Sequence, residues 1–241
     1  MKNIITLFDM DGTLTEPRKS FDKSLFPVLS RLADISDIGI VSGSDYNYIL
    51  EQLHFLMHKT SLRYKTHILP CNGTKHYTPP EHSSDDFTLK YEVDMRSHIG
   101  DEPFRDLMNL ILSRQHSYAS DLPCLSGHFV DYRGSMINWC PIGRNASQQE
   151  RDRFVRWDTS LNFRSVELLY LSTQEIFKSN NLSVKLGGDT SFDIFPKGWD
   201  KTYCLKHMKS YDNVFFIGDR CGAGGNDKEI FDLLQPSYIL A

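Results

Sequence analysis

The sequence predicts an α/β fold: a core built on a mostly parallel sheet, split by an inserted α+β unit whose own sheet is antiparallel. Three observations carry this. A short apolar run, Ile4 to Phe8, ends in two acids and a glycine. Strand-like and helix-like stretches then alternate to about residue 70, and a second apolar run ending in Gly218-Asp219 returns late in the chain, after a stretch of different character. With 241 residues, 40% apolar and 24% charged, the chain can fill one large domain or two smaller ones and is not disordered.

Taken in order, Ile4-Ile5-Thr6-Leu7-Phe8 reads as a strand that places Asp9 at the carboxyl edge of a sheet, where open α/β folds hold ligands. Residues 21–33 carry Leu25, Val28, Leu29 and Leu32 at helical spacing. Residues 38–41 form a short buried strand, followed by Ser42-Gly43-Ser44-Asp45 and a helix over 46–57 with Ser44 or Asp45 as its cap. A third strand, 67–70, leads to Asn72-Gly73. Residues 78–86 then hold two prolines and a cluster of Ser and Asp, which marks a boundary. The expected division is a core at 1–80 and 197–241, with the insert at 84–193.

Within the insert, 103–115 is an amphipathic helix, and 129–132 and 136–140 are strands joined around Arg133-Gly134-Ser135. Helices over 147–157 and 165–177 follow, then two strands either side of Gly187-Gly188. The core returns with a helix at 201–208, a buried strand at 214–217 and a helix at 229–234. The glycines at 222, 224 and 225 lack the spacing of a nucleotide-binding fingerprint and read as a loop.

The Asp9-Met10-Asp11-Gly12 turn has the build of a phosphoaspartyl site. Asp-Gly also dominates ordinary turns, but here a strand delivers the pair. A carboxylate attacks phosphorus when the phosphoryl charge is neutralised by a metal ion and amide donors, so Asp9 is the candidate nucleophile and Asp11 can handle the proton. Asp219 ends a neighbouring parallel strand. Asp9, a carbonyl near Asp11 and Asp219 would make a hard oxygen site suited to Mg²⁺, which Asn226 and Asp227 could tune. Asp227 reads equally well as a helix cap. A hydroxyl from Ser44 beside a helix N-terminus can grip the transferring phosphoryl group, and Lys201 can balance the charge of Asp9. Arg133, Arg144 and Arg151, with Arg18 after the catalytic turn, can clamp a phosphate that is not being transferred. Spacing alone does not separate them from Arg153, Arg156 and Arg164 nearby.

A net charge of -4 argues against a nucleic-acid footprint and leaves small anionic substrates. Five widely spaced cysteines without a Cys-x-x-Cys pair point to reduced thiols, neither a disulfide framework nor a zinc site. No signal peptide and no membrane-length apolar stretch are evident, so the expected location is cytoplasmic.

The acids at 9 and 11, Ser44-Asp45, Lys201 and Gly218-Asp219 resemble the four motifs of the haloacid dehalogenase superfamily. Within it the chain closely resembles the eukaryotic-type phosphomannomutases. The likeness runs through Arg133 to Asn138, Cys140-Pro141-Ile142-Gly143-Arg144, Ser147 to Arg151, Gly187 to Lys201 and Gly224-Gly225-Asn226-Asp227. It implies a Rossmann-like core with a cap of the C2b type, Mg²⁺, and interconversion of mannose 6-phosphate and mannose 1-phosphate for GDP-mannose synthesis. It also implies a hexose 1,6-bisphosphate activator and a homodimer through the cap. By position, Arg18, Arg133, Arg144, Arg151, Ser191 and Asp193 take the substrate-binding roles, with Asp193 on sugar hydroxyls and the arginines mainly on the distal phosphate.

The sequence departs from the family's pattern in places. Ser42 stands where close relatives often have glycine, the loop after Phe231 is short, residues 74–94 match poorly, and a final helix is expected to be missing, exposing apolar core surface. Two rivals use the same residues: a sugar-phosphate phosphatase, and a retired relative acting as a binding protein.

Overall fold

Alternating side-chain direction along a few short strands organises the first part of the molecule. The computed structural model describes residues 3–16, 19–222 and 224–234. The chain forms two compact units, Met1–Glu92 with Gly198–Ala241, and Val93–Lys197. The first contains strand β1 (Ile4–Phe8), helix α1 (Phe26–Leu32), β2 (Asp37–Val41), helices α2 (Tyr46–Gln52) and α3 (His54–Lys59), β3 (Thr66–Leu69), β4 (Lys75–Thr78) and β5 (Thr88–Glu92). The second contains α4 (Met95–Ile99), α5 (Asp101–Tyr118), β6 (Val130–Tyr132), β7 (Ile137–Trp139), α6 (Gln148–Leu161), α7 (Phe163–Thr173), α8 (Glu175–Ser179), β8 (Leu182–Gly187) and β9 (Ser191–Pro196). The chain then returns to the first unit through a 3-10 helix (Lys201–His207), β10 (Asn213–Ile217) and α9 (Lys228–Leu234).

The first unit's sheet has the order β10-β1-β2-β3-β4-β5. β10, β1, β2 and β3 run parallel, and β4 and β5 close one side antiparallel. Both faces of β1 and β2 are covered, so these strands are apolar nearly throughout. Ile38, Ile40 and Ile68 pack on one face with Ile49, Leu53 and Met57. Ile5, Leu7, Val41 and Leu69 pack on the other with Cys204, Met208 and Ile230. Leu7 faces Gly39 in register, and a Cβ at Gly39 would collide with the Leu7 side chain.

The second unit's sheet is antiparallel, in the order β6-β7-β9-β8. Its core stacks Trp139 on Phe192 at 5.0 Å between ring centroids. Helix α6 starts at a capping box, with Ser147 and Glu150 satisfying each other's backbone amides. The wholly buried Glu167 of α7 accepts from Arg114 Nε at 2.8 Å and from Tyr118 hydroxyl at 2.7 Å, which ties α7 to α5 and leaves no charge unpaired.

Several elements differ from the sequence expectation. The boundary falls at residues 92 and 93, because β5, placed beyond the boundary by the prolines and serines at 78–86, pairs with β4 as a hairpin in the first sheet. The helix expected over 46–57 breaks at Leu53, whose φ of −97° and ψ of 20° are not helical. Residues 21–33 hold a 3-10 turn before α1, which starts at Phe26 with Pro27 in its first turn. The helix expected at 201–208 is 3-10. β10 is an edge strand, so Phe215 and Ile217 are exposed on the outer side rather than buried. Residues beyond Leu234, where the expected lack of a final helix would fall, lie outside the described residues. No described helix is long and apolar enough to cross a membrane.

The first unit also buries a ring cluster. His67 Nδ1 and His76 Nε2 lie 2.9 Å apart, Tyr211 hydroxyl lies 3.0 Å from His67 Nε2 and donates to Asp37 at 2.8 Å, and His207 stacks on His76. Burial pushes the His76 pKa down to about 3, helped by His207 and His67, while His67 and His207 are also lowered, mainly by burial. Above the unfolded value near pH 6.5 the imidazoles are neutral in both states; below it the unfolded chain binds protons first. Stability is therefore expected to fall as pH drops from about 6.5 towards 3. Thermal melting across that range checks this, and His76→Phe should flatten the slope.

Candidate active site

Backbone geometry fixes Asp9 ahead of any side-chain contact. Its amide donates to Ile217 carbonyl at 2.9 Å, extending the parallel ladder one residue past β1. Beyond it, Met10 carbonyl accepts from the amides of Thr13, Leu14 and Thr15 at 3.2, 2.9 and 3.0 Å, closing a tight turn. Gly12 in that turn has a φ of 95°, and a Cβ there would come within 2.6 Å of the Asp219 carboxyl carbon. Only glycine allows both the turn and this close approach.

Lys201 begins the 3-10 helix, whose cap is Asp200, accepting from Thr202 amide at 3.0 Å. Its ammonium donates to both Asp9 Oδ1 and Asp227 Oδ1. All three side chains are almost fully enclosed, at 1%, 7% and 0% exposure. The other Asp227 oxygen accepts from Arg220 amide at 3.0 Å, so this residue serves as Lys201's counter-ion while it also stands at the start of α9, its carbonyl accepting from Phe231 amide at 2.9 Å. Burial pushes the Asp9 pKa up to about 6, with Lys201 pulling it down and Asp227 adding to the rise. Burial opposes the Lys201 charge, but Asp9 and Asp227 outweigh it and hold that pKa above the ordinary lysine value.

Carboxylate oxygens of Asp9, Asp219 and Asp227 lie within 4.8 Å of one another. Asn226 Oδ1 is buried with no hydrogen-bond partner among the described residues. Three carboxylates gathered in this way fit a divalent cation, and the unsatisfied Asn226 amide oxygen belongs to the residue next to Asp227. Of the expected ligand set, Asp11 brings no carboxylate to this group. The turn reverses the chain after Met10, and the Asp11 carboxylate instead lies 3.5 Å from Tyr48 hydroxyl. Ser44 stands in the turn after β2, the strand beside β1, with its carbonyl accepting from Cys71 amide at 2.9 Å. Asp45 is the cap of α2, accepting from Tyr48 amide at 2.8 Å.

In the second unit, Arg133 Nε meets Asp131 Oδ2 at 3.0 Å and Arg144 Nε meets the same oxygen at 3.5 Å. Arg144 Nη1 donates to Asn138 Oδ1 at 3.0 Å, and Asn138 Nδ2 donates to Asp193 Oδ1 at 2.6 Å and Ser191 hydroxyl at 3.0 Å. Burial raises the Asp193 pKa, with Arg133, Asn138 and Arg144 opposing it. Arg151 donates to Thr190 hydroxyl, Arg144 carbonyl and Ala146 carbonyl at 2.8, 2.9 and 3.1 Å, bracing the segment that carries Arg144. Arg164 pairs with Asp158 at 2.7 Å and stands apart from the group. Asp131 carries no functional signal in the sequence, being an ordinary polar residue until strand register places it, and Asn138 is marked only by its place in the stretch that carries the family likeness. Arg18 lies outside the described residues.

A phosphomannomutase from Dendrobium officinale is 38% identical over 233 residues, covering 96% of this chain and 86% of the relative. One from Arabidopsis thaliana is 39% identical, covering 95% and 87%, and phosphomannomutase 2 of Dictyostelium discoideum is 38% identical, covering 100% and 95%. A sequence model of the eukaryotic phosphomannomutase family matches residues 25–236. The chain belongs to the eukaryotic phosphomannomutase family. Among solved structures, an IMP-bound Plasmodium falciparum IMP-nucleotidase aligns with TM-score 0.57 and 17% identity, covering 95% of this chain and 62% of that one, less than two thirds of its length. A trehalose-6-phosphate phosphatase related protein aligns with TM-score 0.50 and 15% identity, covering 95% and 81%. At such identity these establish a shared fold alone.

In this phosphomannomutase family member, the charge balance around Lys201 yields a direct test. Lys201→Met leaves two buried carboxylates without their cation, a change of a kind that costs about 3–5 kcal/mol. Urea unfolding at pH 7 should register that loss. The deficit should shrink on acidification, because the folded variant then takes up protons more readily than the unfolded chain.

Proposed function

We propose that the protein interconverts mannose 6-phosphate and mannose 1-phosphate through a phosphoaspartyl enzyme on Asp9 and a hexose 1,6-bisphosphate, supplying GDP-mannose synthesis. The observation that carries the proposal is the enclosed Asp9 carboxylate, ion-paired to Lys201 at the sheet's carboxyl edge, in a chain of this family. Asp9 attacks a phosphorus of the bisphosphate, the bond from phosphorus to the sugar oxygen breaks, and Asp11 gives its proton to that oxygen. In the second half-reaction Asp11 takes the proton from the hydroxyl that attacks the phosphoaspartate. Lys201 keeps Asp9 ionised in its buried setting and fixes its direction, and the Ser44 hydroxyl is assigned to the phosphoryl oxygens.

Asp9, Asp219 and the Asp11 backbone carbonyl would hold Mg²⁺, with Asn226 beside them. When bound, the ion would neutralise charge on the transferring phosphoryl group. A hexose bisphosphate carries two phosphates, and the chain has two kinds of polar group to match: one that can transfer and one that can only hold. Arg133, Arg144 and Arg151, with Arg18, are assigned to the held phosphate, Asp193 and Ser191 to sugar hydroxyls, and Arg151 also braces Arg144. The proposed setting is cytoplasmic, and the proposed assembly is a homodimer formed through the second unit, as the family resemblance implies.

Purified protein given mannose 1-phosphate, Mg²⁺ and catalytic glucose 1,6-bisphosphate should yield mannose 6-phosphate, and Asp9→Asn should abolish turnover while the melting temperature is retained. Rapid release of inorganic phosphate without isomerisation would sink the mutase proposal. Chelation should stop turnover. Calorimetric titration with Mg²⁺ alone should give a binding isotherm that Asp219→Asn loses, and an unchanged isotherm would remove Asp219 from the ligand set.

A further inference from the structure

Four polar residues stand in register across the second unit's sheet, one from each strand. Asp131 on β6 faces Asn138 on β7, Asn138 faces Asp193 on β9, and Asp193 faces Lys185 on β8. Directly opposed residues share a face of the sheet, so these form one continuous row. Asn138 sits inside it at 3% exposure.

The Asn138 amide has one orientation that satisfies its neighbours. A guanidinium only donates and a carboxylate only accepts, so Oδ1 must face Arg144 Nη1 at 3.0 Å and Nδ2 must face Asp193 Oδ1 at 2.6 Å. The second Nδ2 hydrogen goes to Ser191 hydroxyl at 3.0 Å, and that hydroxyl in turn donates to Gly187 carbonyl at 2.5 Å. Each polar atom of the amide is therefore used, and the side chain is held in one rotamer by partners on β9 and in the loop after β7.

The interposed amide also solves an electrostatic problem. Guanidinium and carboxylate placed together form a short, often bidentate pair. Such a pair between Arg144 and Asp193 would draw together the two groups that a sugar phosphate needs in distinct places. Asn138 offers the cation an acceptor and the anion a donor, and so keeps them at separate points along the row. Asp131 plays the matching part at the row's other end, where one oxygen receives Arg133 Nε at 3.0 Å and Arg144 Nε at 3.5 Å.

We infer that Asn138 is a positioning residue that holds the sugar-reading carboxylate of Asp193 and the phosphate-gripping guanidinium of Arg144 apart and in register, so that ring and phosphate are recognised together. The inference rests on the roles assigned to Asp193 and Arg144 under the proposed function.

Equilibrium binding tests it without turnover. In the Asp9→Asn background, calorimetry with mannose 1-phosphate is compared among the parent, Asn138→Ala and Asn138→Asp. Asn138→Ala is expected to weaken binding about 10- to 100-fold, the loss of two to three net hydrogen bonds. Asn138→Asp keeps the acceptor for Arg144 but sets a second carboxylate against Asp193, so its binding should be weak at pH 8 and recover towards pH 5 as the introduced carboxyl gains a proton and regains a donor. A merely structural loss would not be restored by acid. Because Asn138→Asp is isosteric, it carries the test if Asn138→Ala fails to fold. Affinity within twofold of the parent for either variant at pH 8, or no acid recovery in Asn138→Asp, overturns the assignment. A parent that fails to bind mannose 1-phosphate overturns both this and the mutase proposal, whereas a parent that binds it but only releases phosphate overturns the mutase proposal alone.

Discussion

The buried ion triad of Asp9, Lys201 and Asp227 is the constraint around which the first unit is organised. Two carboxylates and one ammonium lie almost wholly out of water, a setting in which each isolated charge would be strongly disfavoured. Together they tolerate it, with the remaining Asp227 oxygen satisfied by the Arg220 amide at 3.0 Å. The residues come from the end of β1, from the start of the 3-10 helix and from the loop after β10, and Lys201 is 192 positions from Asp9. Parallel pairing of β1 with β10 brings the distant segments to one sheet edge. Fold and charge balance thus require each other: without the return strand the triad has no site, and without Lys201 the sheet edge carries uncompensated acids.

Much of this unit is legible in the amino-acid sequence, for a simple reason. A strand covered on both faces, as Ile4–Phe8 is, must be apolar nearly throughout; the edge strand Asn213–Ile217 is apolar too, and each ends where an acid follows within two residues. The features that are not legible are those decided by tertiary context. Thr88–Glu92 alternates Leu89 and Tyr91 with polar residues as a strand does, but all five are exposed, and only pairing with β4 assigns the strand to the first sheet. Lys201–His207 has helical spacing but holds 3-10 geometry between two anchored ends. In sequence Asp227 reads as a helix cap or a metal-tuning group, because the partner that claims it is separated from it by a strand and two loops. The distinction between Arg151 and Arg144 is equally hidden, since it depends on which carbonyls lie beside each guanidinium.

The two units use polar residues in physically different ways. The first places acids at strand ends, where the backbone turns sharply and amides and carbonyls leave the ladder; such positions suit a group that must attack and then release. The second places Asp131, Asn138 and Asp193 in mid-strand, where register fixes the spacing between opposed residues. Mid-strand side chains are held more rigidly than those of loops, which suits groups that recognise and do not react.

The 3-10 helix joins the triad to the ring cluster within the first unit. Its first residue, Lys201, is the shared cation; its last, His207, donates from Nε2 to Gly73 carbonyl at 2.8 Å and stacks on His76. Between them Tyr203 lies 2.6 Å, hydroxyl to hydroxyl, from Tyr91 of β5. A seven-residue segment held at both ends and in the middle has little freedom to slide. The ammonium is therefore placed not only by its two acids but by aromatic and imidazole contacts at the far end of the same segment. That arrangement gives the β4–β5 hairpin, whose residues His76 and Tyr91 make those contacts, a physical reason to belong to the core sheet.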